Sequence, residues 1–325
     1  MTNVDKLRQA TLFAATLFAL PLAHAAEPFP SRPIKVVVPV SAGGWGDITT
    51  RIIAQRLGQE IGQPVVVENR PGGGGLVGIR YTKAEAADGY TLMSTGGTLS
   101  IQHALSRETG IDAMKDFVSV GSMVRSPAVV ITGTGTEYKT MADVFKNAKS
   151  GHGEISYASA GVGTTTHIAA EMMLKQAGAR MLHIPYKGNG AALPDVIAGR
   201  VSFMVDAYGS SSSNLKGGKL RALAVTSQDR LKLLPNVPTV AEQGLPGFSY
   251  YYWLGLFAPA GTPRDVVEKI STALAKTMKD PEVTERLRAD GTEPYFKSPA
   301  EFTSFVRKDV ADTTALVEKL SIQKQ

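Results

Sequence analysis

The 325-residue chain has the composition of an ordinary globular protein, with 35 Lys and Arg residues against 29 Asp and Glu residues and no cysteine. The absence of cysteine excludes disulfides, thiol catalysis and cysteine-ligated metals. The small positive excess is scattered along the chain, which argues against a nucleic-acid interface and favours small anionic molecules as partners.

The N-terminus has the pattern of a secretory signal peptide. Lys6 and Arg8 precede an apolar run from Ala10 to Ala23, and Ala23-His24-Ala25 places small residues before a cleavage site. The run is shorter than the roughly 20 residues of a membrane-spanning helix, and a lipoprotein anchor would need a cysteine. We therefore predict a signal peptide over residues 1–25 and a periplasmic location without a lipid anchor.

Strand-like and helix-like segments then alternate along the chain. Ile34 to Val40 is a β-branched run, and a glycine loop joins it to apolar residues at helical spacing from Ile48 to Ile61. Further predicted strands cover 64–68, 90–94 and 117–124, with a helix over 76–84. This alternation is typical of a parallel α/β architecture.

The same alternation restarts after Pro127 and predicts a second α/β unit. The predicted strands of this unit cover 128–131, 155–158, 182–186, 201–206 and 221–226, and its helices cover 141–149, 166–176 and 191–198. An aromatic strand over 250–258 and helices ending at 278, over 281–289 and over 299–320 complete the chain. Because about 300 mature residues exceed the size of one core, we predict two domains, residues 26–125 plus 250–325 and residues 126–249, with a ligand cleft between them.

Two loops between a strand and a helix have the composition of an anion site. Ser41-Ala42-Gly43-Gly44-Trp45-Gly46-Asp47 follows the first strand, and Ser156 to Thr165 has the same design in the second unit, with a strand end, a small hydroxylic loop and a helix start. Glycines present backbone amides, and helix N-termini attract anions. If each loop binds one carboxylate, the cleft selects solutes with an anionic group at both ends. The alternative for the first loop is a plain turn with Asp47 as the helix N-cap.

Three other motifs have weaker functional interpretations. The segment from Arg70 to Gly78 matches G-x-G-x-x-G, but no acidic residue follows about 20 positions later to bind a ribose, so we predict a close-packed turn beside the cleft. His167 and Glu171 lack a third metal ligand, so we expect capping and surface pairing. Ser159 lies outside a nucleophile elbow, because Tyr157 occupies the first glycine position.

Eight sequence blocks occur in the order typical of one family. They are Phe29-Pro30-Ser31-Arg32-Pro33-Ile34, 39–44 with Asp47, 65–72, Asp88-Gly89-Tyr90-Thr91, 157–163 with His167, 183–188, 218–226 and 235–242. With these blocks the chain resembles the Bug family, the substrate-binding subunits of tripartite tricarboxylate transporters, over essentially the whole mature sequence.

The resemblance implies an α/β fold of two domains, the type II Venus flytrap of periplasmic binding proteins, with the ligand cleft between the domains. It implies solute binding without catalysis, cofactor or metal, and delivery of the solute to integral membrane subunits of the transporter. It also implies that backbone amides and bridging waters hold a carboxylate at the loops 41–44 and 159–165. The predicted ligand contacts are Ser41, Ala42, Gly43, Gly44, Trp45, Asp47, Thr95, Gly96, Ser159, Ala160, Gly161, Gly163, Thr164, Thr165 and Asp206.

The chain departs from the family pattern around the first loop. Val40-Ser41-Ala42-Gly43-Gly44 stands where members commonly have Phe-Ala-Ala-Gly-Gly, and Trp45 either covers the ligand or packs at the surface of the cleft rim. A third loop, Thr95-Gly96-Gly97-Thr98, is rich in hydroxyls and glycine, and Ser210 to Ser213 is interpreted as a polar loop.

Alternatives to transport remain open from the sequence. A periplasmic sensor subunit that reports bound ligand to a signalling partner would use the same closure on ligand, and an enzyme is less favoured because no acid, base or nucleophile constellation is evident. The ligand class stays open among tricarboxylates, dicarboxylates, acidic amino acids and aromatic acids. We expect a monomer, because a two-domain clamshell needs free domain movement.

Overall fold

The computed structural model describes residues 28–105, 109–150 and 155–320, so the predicted signal peptide lies outside the described residues. Contacts divide the chain into Met1–Ser31 and Arg32–Gln325, and the second of these units contains the sheet and the helices around it. Its strands are β1 (Ile34–Val38), β2 (Val65–Asn69), β3 (Thr91–Gly96), β4 (Phe117–Gly133), β5 (Ser156–Ser159), β6 (Leu182–Pro185), β7 (Phe203–Ala207), β8 (Leu220–Val225), β9 (Tyr251–Pro259) and β10 (Glu293–Pro294).

The helices connect these strands and cover their faces. They are α1 (Trp45–Ile61), α2 (Leu76–Ala84), α3 (Gly97–Ala104), α4 (Met141–Ser150), α5 (Thr165–Ala177), α6 (Asn189–Ile197), α7 (Tyr208–Lys216), α8 (Arg264–Thr277), α9 (Pro281–Ala289) and α10 (Pro299–Leu320), with a short 3-10 turn at Gly73–Gly75. No helix in the described part of the chain is both long enough and apolar enough to cross a membrane.

The strands form one mixed sheet in the order β2-β1-β3-β9-β4-β7-β5-β6, with β8 and β10 also paired to β4. β1 pairs in parallel with β2 and β3, and β5 pairs in parallel with β6 and β7. β4 and β9 run antiparallel to their neighbours. The predicted parallel architecture is therefore correct for the two outer groups of strands and wrong for the centre, because hydrophobic periodicity identifies strands without giving their direction.

β4 is one strand where the sequence predicted two that were separated at Pro127. Its first part pairs with β9 as far as Pro127 opposite Tyr251, and its second part pairs with β7 from Ala128 onwards. Pro127 has no N–H to give to a ladder, and it lies where the strand changes partners, so the proline is tolerated in a central strand. The predicted division into two domains stays a prediction, and its first boundary falls within β4.

Two helices occupy segments that the sequence predicted as loops. α3 begins at Gly97 inside the expected third loop, and α7 contains the serines expected to form a polar loop. In α7 the Ser211 hydroxyl donates to the Ala207 carbonyl at 3.2 Å, and the Ser210 hydroxyl lies 3.0 Å from the same carbonyl. Such bonds satisfy a serine within the helix, and glycine and serine have too low a helix propensity for the pattern to be found from sequence.

Each half of the sheet has its own apolar core. One core lies around Phe257 of β9 and Phe302 of α10, whose ring centroids are 5.1 Å apart. The other contains Val129 of β4 and Met204 of β7, both fully buried. Burial of these side chains fixes the strand ends that surround a cavity at one edge of the sheet.

Candidate ligand-binding site

A cavity of about 360 Å³ lies at the carboxyl ends of five strands. The ends of β1, β3, β6 and β7 line it directly, and Ala160 lines it just beyond β5. Ligands of α/β sheets bind at this edge. Among the described residues that line the cavity, Lys187 is the one charged side chain, and it is exposed to solvent.

Five helices begin at the wall of this cavity. The residues that line it include the start of α1 at Gly44, of α3 at Gly96, of α5 at Thr164 and of α6 at Gly188, together with Ala207 before α7. No side chain caps the N-terminus of any of these five helices. The first N–H groups of a helix have no partner within it, and its N-terminus carries a partial positive charge, so the convergence creates a site for an anion.

Hydrogen bonds to the buried Asp47 carboxylate hold the first loop in place. Its Oδ2 accepts the Gly43 N–H at 2.9 Å, and its Oδ1 accepts from Arg51 Nε at 2.8 Å and from Asn69 Nδ2 at 2.9 Å. The interpretation of Asp47 as N-cap is wrong, because α1 already begins at Trp45 and Gly44 is the N-cap residue. Asp47 is buried and does not line the cavity.

Trp45 forms part of the cavity wall and is held in place by a distant residue. Its indole Nε1 donates to Thr292 Oγ1 at 2.8 Å, and its ring centroid lies 5.9 Å from that of Tyr252, which also lines the cavity. Trp45 is only 9% exposed. The alternative of surface packing at the rim is therefore wrong, whereas its contact with a ligand stays a prediction.

The second loop is anchored by the buried His167 and the half-buried His183. Ser159 Oγ and His183 Nε2 are 2.6 Å apart, and the Gly163 N–H donates to His167 Nδ1 at 3.3 Å. The two imidazoles stack with their centroids 4.0 Å apart. Burial lowers the pKa of His167 to about 3, with a smaller contribution from His183, and burial lowers the pKa of His183 to about 4. Both rings are therefore neutral near pH 7, as the acceptor role of His167 Nδ1 requires.

Surface pairing of His167 with Glu171 is also wrong. His167 is buried, and Glu171 instead accepts a hydrogen bond from the Tyr157 hydroxyl. The spacing of four residues brings both side chains to the inner side of α5. There the His167 ring stacks on the Tyr157 ring and does not pair with Glu171. Within the described residues, no three His, Asp or Glu side chains meet as a metal site would need.

The structure brings most of the predicted contact residues together in the cavity wall. Those that line it are Ser41, Gly44, Trp45, Thr95, Gly96, Ala160, Gly161, Thr164 and Thr165. Those that lie outside the lining are Ala42, Gly43, Asp47, Ser159, Gly163 and Asp206. Ser159 and Asp206 are fully buried behind the wall, so they support the loops from within the protein.

Sequence reasoning missed three further groups of lining residues. They are the segment 185–189, the aromatic residues Tyr252 and Trp253 of β9, and Gln102 of α3. The aromatic composition of β9 was a usable signal, whereas α3 itself was not predicted. The predicted close-packed turn after β2 does border the cavity, which Gly72 to Gly75 line.

Comparisons with known proteins agree with this geometry. The model of the tripartite tricarboxylate transporter family receptor, TctC, matches residues 49–322. A protein of Pseudomonas sp. strain P51 from the tcbD-tcbE intergenic region is 39% identical over 266 residues, which are 82% of this chain and 79% of that protein. Protein BugT of Bordetella pertussis is 31% identical over 90% of this chain and 91% of its own length.

Solved structures show the same fold. The periplasmic binding protein BugD superposes with a TM-score of 0.87 at 31% identity, covering 91% of this chain and 100% of BugD. An R. palustris protein with adipate gives a TM-score of 0.86 at 31% identity over 90% of this chain and 99% of that one. MatC from Rhodopseudomonas palustris with bound malate gives 0.84 at 28% identity, covering 89% and 100%. The similar structures thus include one with adipate and one with bound malate, both of which are dicarboxylates.

Proposed function

The chain belongs to the tripartite tricarboxylate transporter receptor family, and from this premise we propose that it captures a small carboxylate for such a transporter. Members of the family are solute-binding proteins and not enzymes. In this proposal the protein is exported by the signal peptide at residues 1–25, works in the periplasm as a monomer, and delivers its ligand to integral membrane subunits.

The convergence of five uncapped helix N-termini on one cavity carries the proposal. Backbone N–H groups and helix dipoles stabilise an anion without a buried cation. The lining contains no acidic side chain among the described residues, so nothing there repels a carboxylate. We propose that the remaining amides of the loops at 41–45 and 159–165 and of the 95–97 segment hold it, since those of Gly43 and Gly163 already donate to Asp47 and His167.

A dicarboxylate fits the arrangement better than a monocarboxylate. The helix N-termini come from both halves of the sheet: α1 and α3 follow β1 and β3, while α5, α6 and α7 follow β5, β6 and β7. A ligand with a carboxylate at each end places one charge against each group. Apolar lining residues such as Leu105, Val162 and Leu254 suit an aliphatic stem between the charges.

Calorimetric titration of the mature protein tests this function. The protein is first unfolded in guanidinium and refolded to remove any co-purified ligand, and then titrated with adipate, hexanoate and adipamide, which share a six-carbon chain. We expect adipate to bind at least about tenfold more tightly than hexanoate, a difference of about 1.4 kcal/mol, and adipamide not to bind. Equal affinity for adipamide would show that the site does not recognise carboxylates.

A further inference from the structure

A fully buried carboxyl group lies directly behind the cavity wall. Asp206 is the penultimate residue of β7, and its neighbour Ala207 lines the cavity. One carboxyl oxygen, Oδ1, accepts from the Ala207 N–H at 2.8 Å, from Ser210 Oγ at 2.6 Å and from Asn189 Nδ2. The other oxygen, Oδ2, is buried and has no hydrogen-bond partner among the described residues.

Asn189 also has a buried side-chain oxygen without a hydrogen-bond partner among the described residues. Its Nδ2 donates to Asp206 Oδ1, which fixes the orientation of the amide, and its Oδ1 is buried without a partner among the described residues. Two buried acceptors without donors therefore belong to two side chains that already share a hydrogen bond. Each buried acceptor without a donor costs about 1–3 kcal/mol, and native proteins rarely leave one unpaired.

No cation in the described structure faces Asp206. The β4 residues opposite it, Ala128 to Val130, are uncharged. Lys216 of α7 faces Asp290. From β9 comes the hydroxyl of Tyr252, whose own pKa is raised mainly by burial, with smaller contributions from Tyr250 and Asp206.

Three charged groups lie on or beside α6. Asp195 of α6 is paired with Arg200 and accepts from the Tyr186 hydroxyl. Lys187, just before α6, is exposed to solvent. An ionised Asp206 is thus a buried charge without a counterion, which is strongly unfavourable.

We propose that Asp206 and Asn189 form a proton-binding site that couples protonation to ligand binding. The neutral Asp206 carboxyl donates its proton from Oδ2 to Asn189 Oδ1 and accepts the Asn189 amide hydrogen at Oδ1. One proton, taken from solvent, satisfies both unpaired oxygens in a cyclic acid–amide pair. The coupling part of this inference rests on the proposed carboxylate function.

The raised pKa of Asp206 also favours a protonated carboxyl group. Burial raises the pKa of Asp206 to about 6, against the opposing hydrogen bonds from Ser210, Asn189 and Ala207. A carboxylate bound in the cavity adds a second negative charge beside Asp206 and raises this pKa further. Affinity for an anion therefore decreases as the pH rises above about 6, by up to about tenfold per pH unit, until the pH exceeds the pKa in the complex.

Infrared difference spectroscopy tests the acid–amide pair without any ligand. The refolded, ligand-free protein is titrated from about pH 5 to about pH 8, a range in which an ordinary Asp stays ionised. Burial also raises the pKa of Asp290 and of Asp309. We therefore expect the carbonyl band of neutral carboxylic acid to weaken as the pH rises in both proteins, with a titrating component in the wild type that is missing in Asp206→Asn, whose amide reproduces the neutral acid. Ser210→Ala removes a donor to Oδ1 and shifts the midpoint to higher pH.

Asp47→Asn is the matched control for these spectra. Asp47 is also a buried carboxylate, but it is compensated by Arg51, so this variant should keep the titrating band of Asp206. A wild-type protein without a titrating band, or a titrating band of the same size in Asp206→Asn, would overturn the acid–amide pair.

Calorimetry with adipate in two buffers of different ionisation enthalpy tests the coupling. We expect the wild type to take up as much as one proton per ligand near pH 7 and to lose affinity towards pH 8, while Asp206→Asn binds without proton uptake and without that loss. Adipate binding to the wild type without proton uptake would overturn the coupling and leave the proposed function intact. If no carboxylate bound to either protein and a neutral solute did, the proposed function would fail, and the spectra alone would decide the acid–amide pair.

Discussion

At the scale of residues, the wall of the cavity depends on polar contacts between residues far apart in the sequence. Trp45 Nε1 and Thr292 Oγ1 form a buried hydrogen bond across 247 positions. Thr292→Val keeps the shape of the side chain and leaves the indole N–H without an acceptor, which should reduce the free energy of unfolding by about 1–3 kcal/mol. Urea unfolding of the variant measures this loss.

Trp45→Phe supplies the control for that prediction. Phenylalanine has no N–H to leave unpaired, so adding Thr292→Val to Trp45→Phe should cost less than Thr292→Val alone, and the difference is the coupling energy of the pair. Equal costs in both backgrounds would show that the hydrogen bond does not stabilise the wall.

The stacked histidines make stability depend on pH. The pKa values of His167 and His183, lowered to about 3 and about 4, lie below the unfolded value of about 6.5, so between these limits the unfolded chain binds more protons. The free energy of unfolding should therefore fall as the pH decreases from about 6.5 towards 4, by about 1.4 kcal/mol per pH unit for each histidine.

Urea unfolding at several pH values, with His183→Gln as the comparison, measures this dependence. The glutamine side chain can still bond to Ser159 and cannot titrate, so the slope should fall by the contribution of one histidine, about 1.4 kcal/mol per pH unit. Asp206, whose pKa is raised to about 6, has the opposite sign and stabilises the fold as the pH falls. An unchanged slope in His183→Gln would show that folding does not lower the pKa of His183.

At this scale the sequence revealed the glycine and hydroxyl loops but not their supports. Small residues between a strand and a helix are a local signal, and nine of the predicted residues do line the cavity. The partners that hold the loops, Thr292, His183 and Asn189, are distant in sequence and common in composition. Nothing local distinguishes them from other polar residues.

At the scale of elements, the start of α5 should contribute a backbone donor to the ligand. Thr165 lines the cavity as the first residue of the helix, and Thr164 before it has extended backbone angles that a following proline accepts. Thr165→Pro removes one N–H at the position where helices tolerate proline. We expect it to weaken adipate binding by about tenfold or more, since hydrogen bonds to charged groups contribute about 1.5–3 kcal/mol.

Thr165→Val is the matched variant for that experiment. Valine keeps the amide and the bulk of the side chain and loses only the hydroxyl, so its affinity in calorimetric titration should remain within about threefold of the wild type. Thermal unfolding of both variants checks that the helix is intact. Equal affinities in Thr165→Pro and Thr165→Val would remove the N-terminus of α5 from the anion site.

Elements with local boundary signals were predicted to the residue. Helix α9 begins at Pro281 after Asp280, which accepts the Val283 N–H at 3.1 Å, and α10 begins at Pro299. Proline in the first turn and an N-cap aspartate are strong start signals. α3 and α7 start without such signals and contain glycine and serine, so they were missed, whereas α1, α5 and α6, which are also uncapped at the cavity, were predicted.

At the scale of the whole molecule, the alternation of strands and helices predicted the α/β class, while the centre of the sheet required the structure. β4 pairs with β9 along one part and with β7 and β8 along the other. A change of pairing partner within a strand does not alter the local hydrophobic periodicity. Pro127 is the one sequence signal for the point in β4 where the partner changes.

Close approach of two distant segments should control ligand affinity. A Cβ on Gly74, in the turn after β2, would lie 2.1 Å from the carbonyl oxygen of Val162, in the loop after β5. Gly74→Ala therefore forces the two segments apart, and we expect adipate affinity to fall by about tenfold or more.

Gly62→Ala is the control, because Gly62 also has a positive φ but would place its Cβ more than 4 Å from any neighbour. Both variants should lose about 1–2 kcal/mol of stability to backbone strain. Only Gly74→Ala should lose affinity for adipate. In X-ray scattering with adipate present, only Gly74→Ala should have a larger radius of gyration than the wild type. Unchanged binding by Gly74→Ala would mean that the ligand is held without this approach.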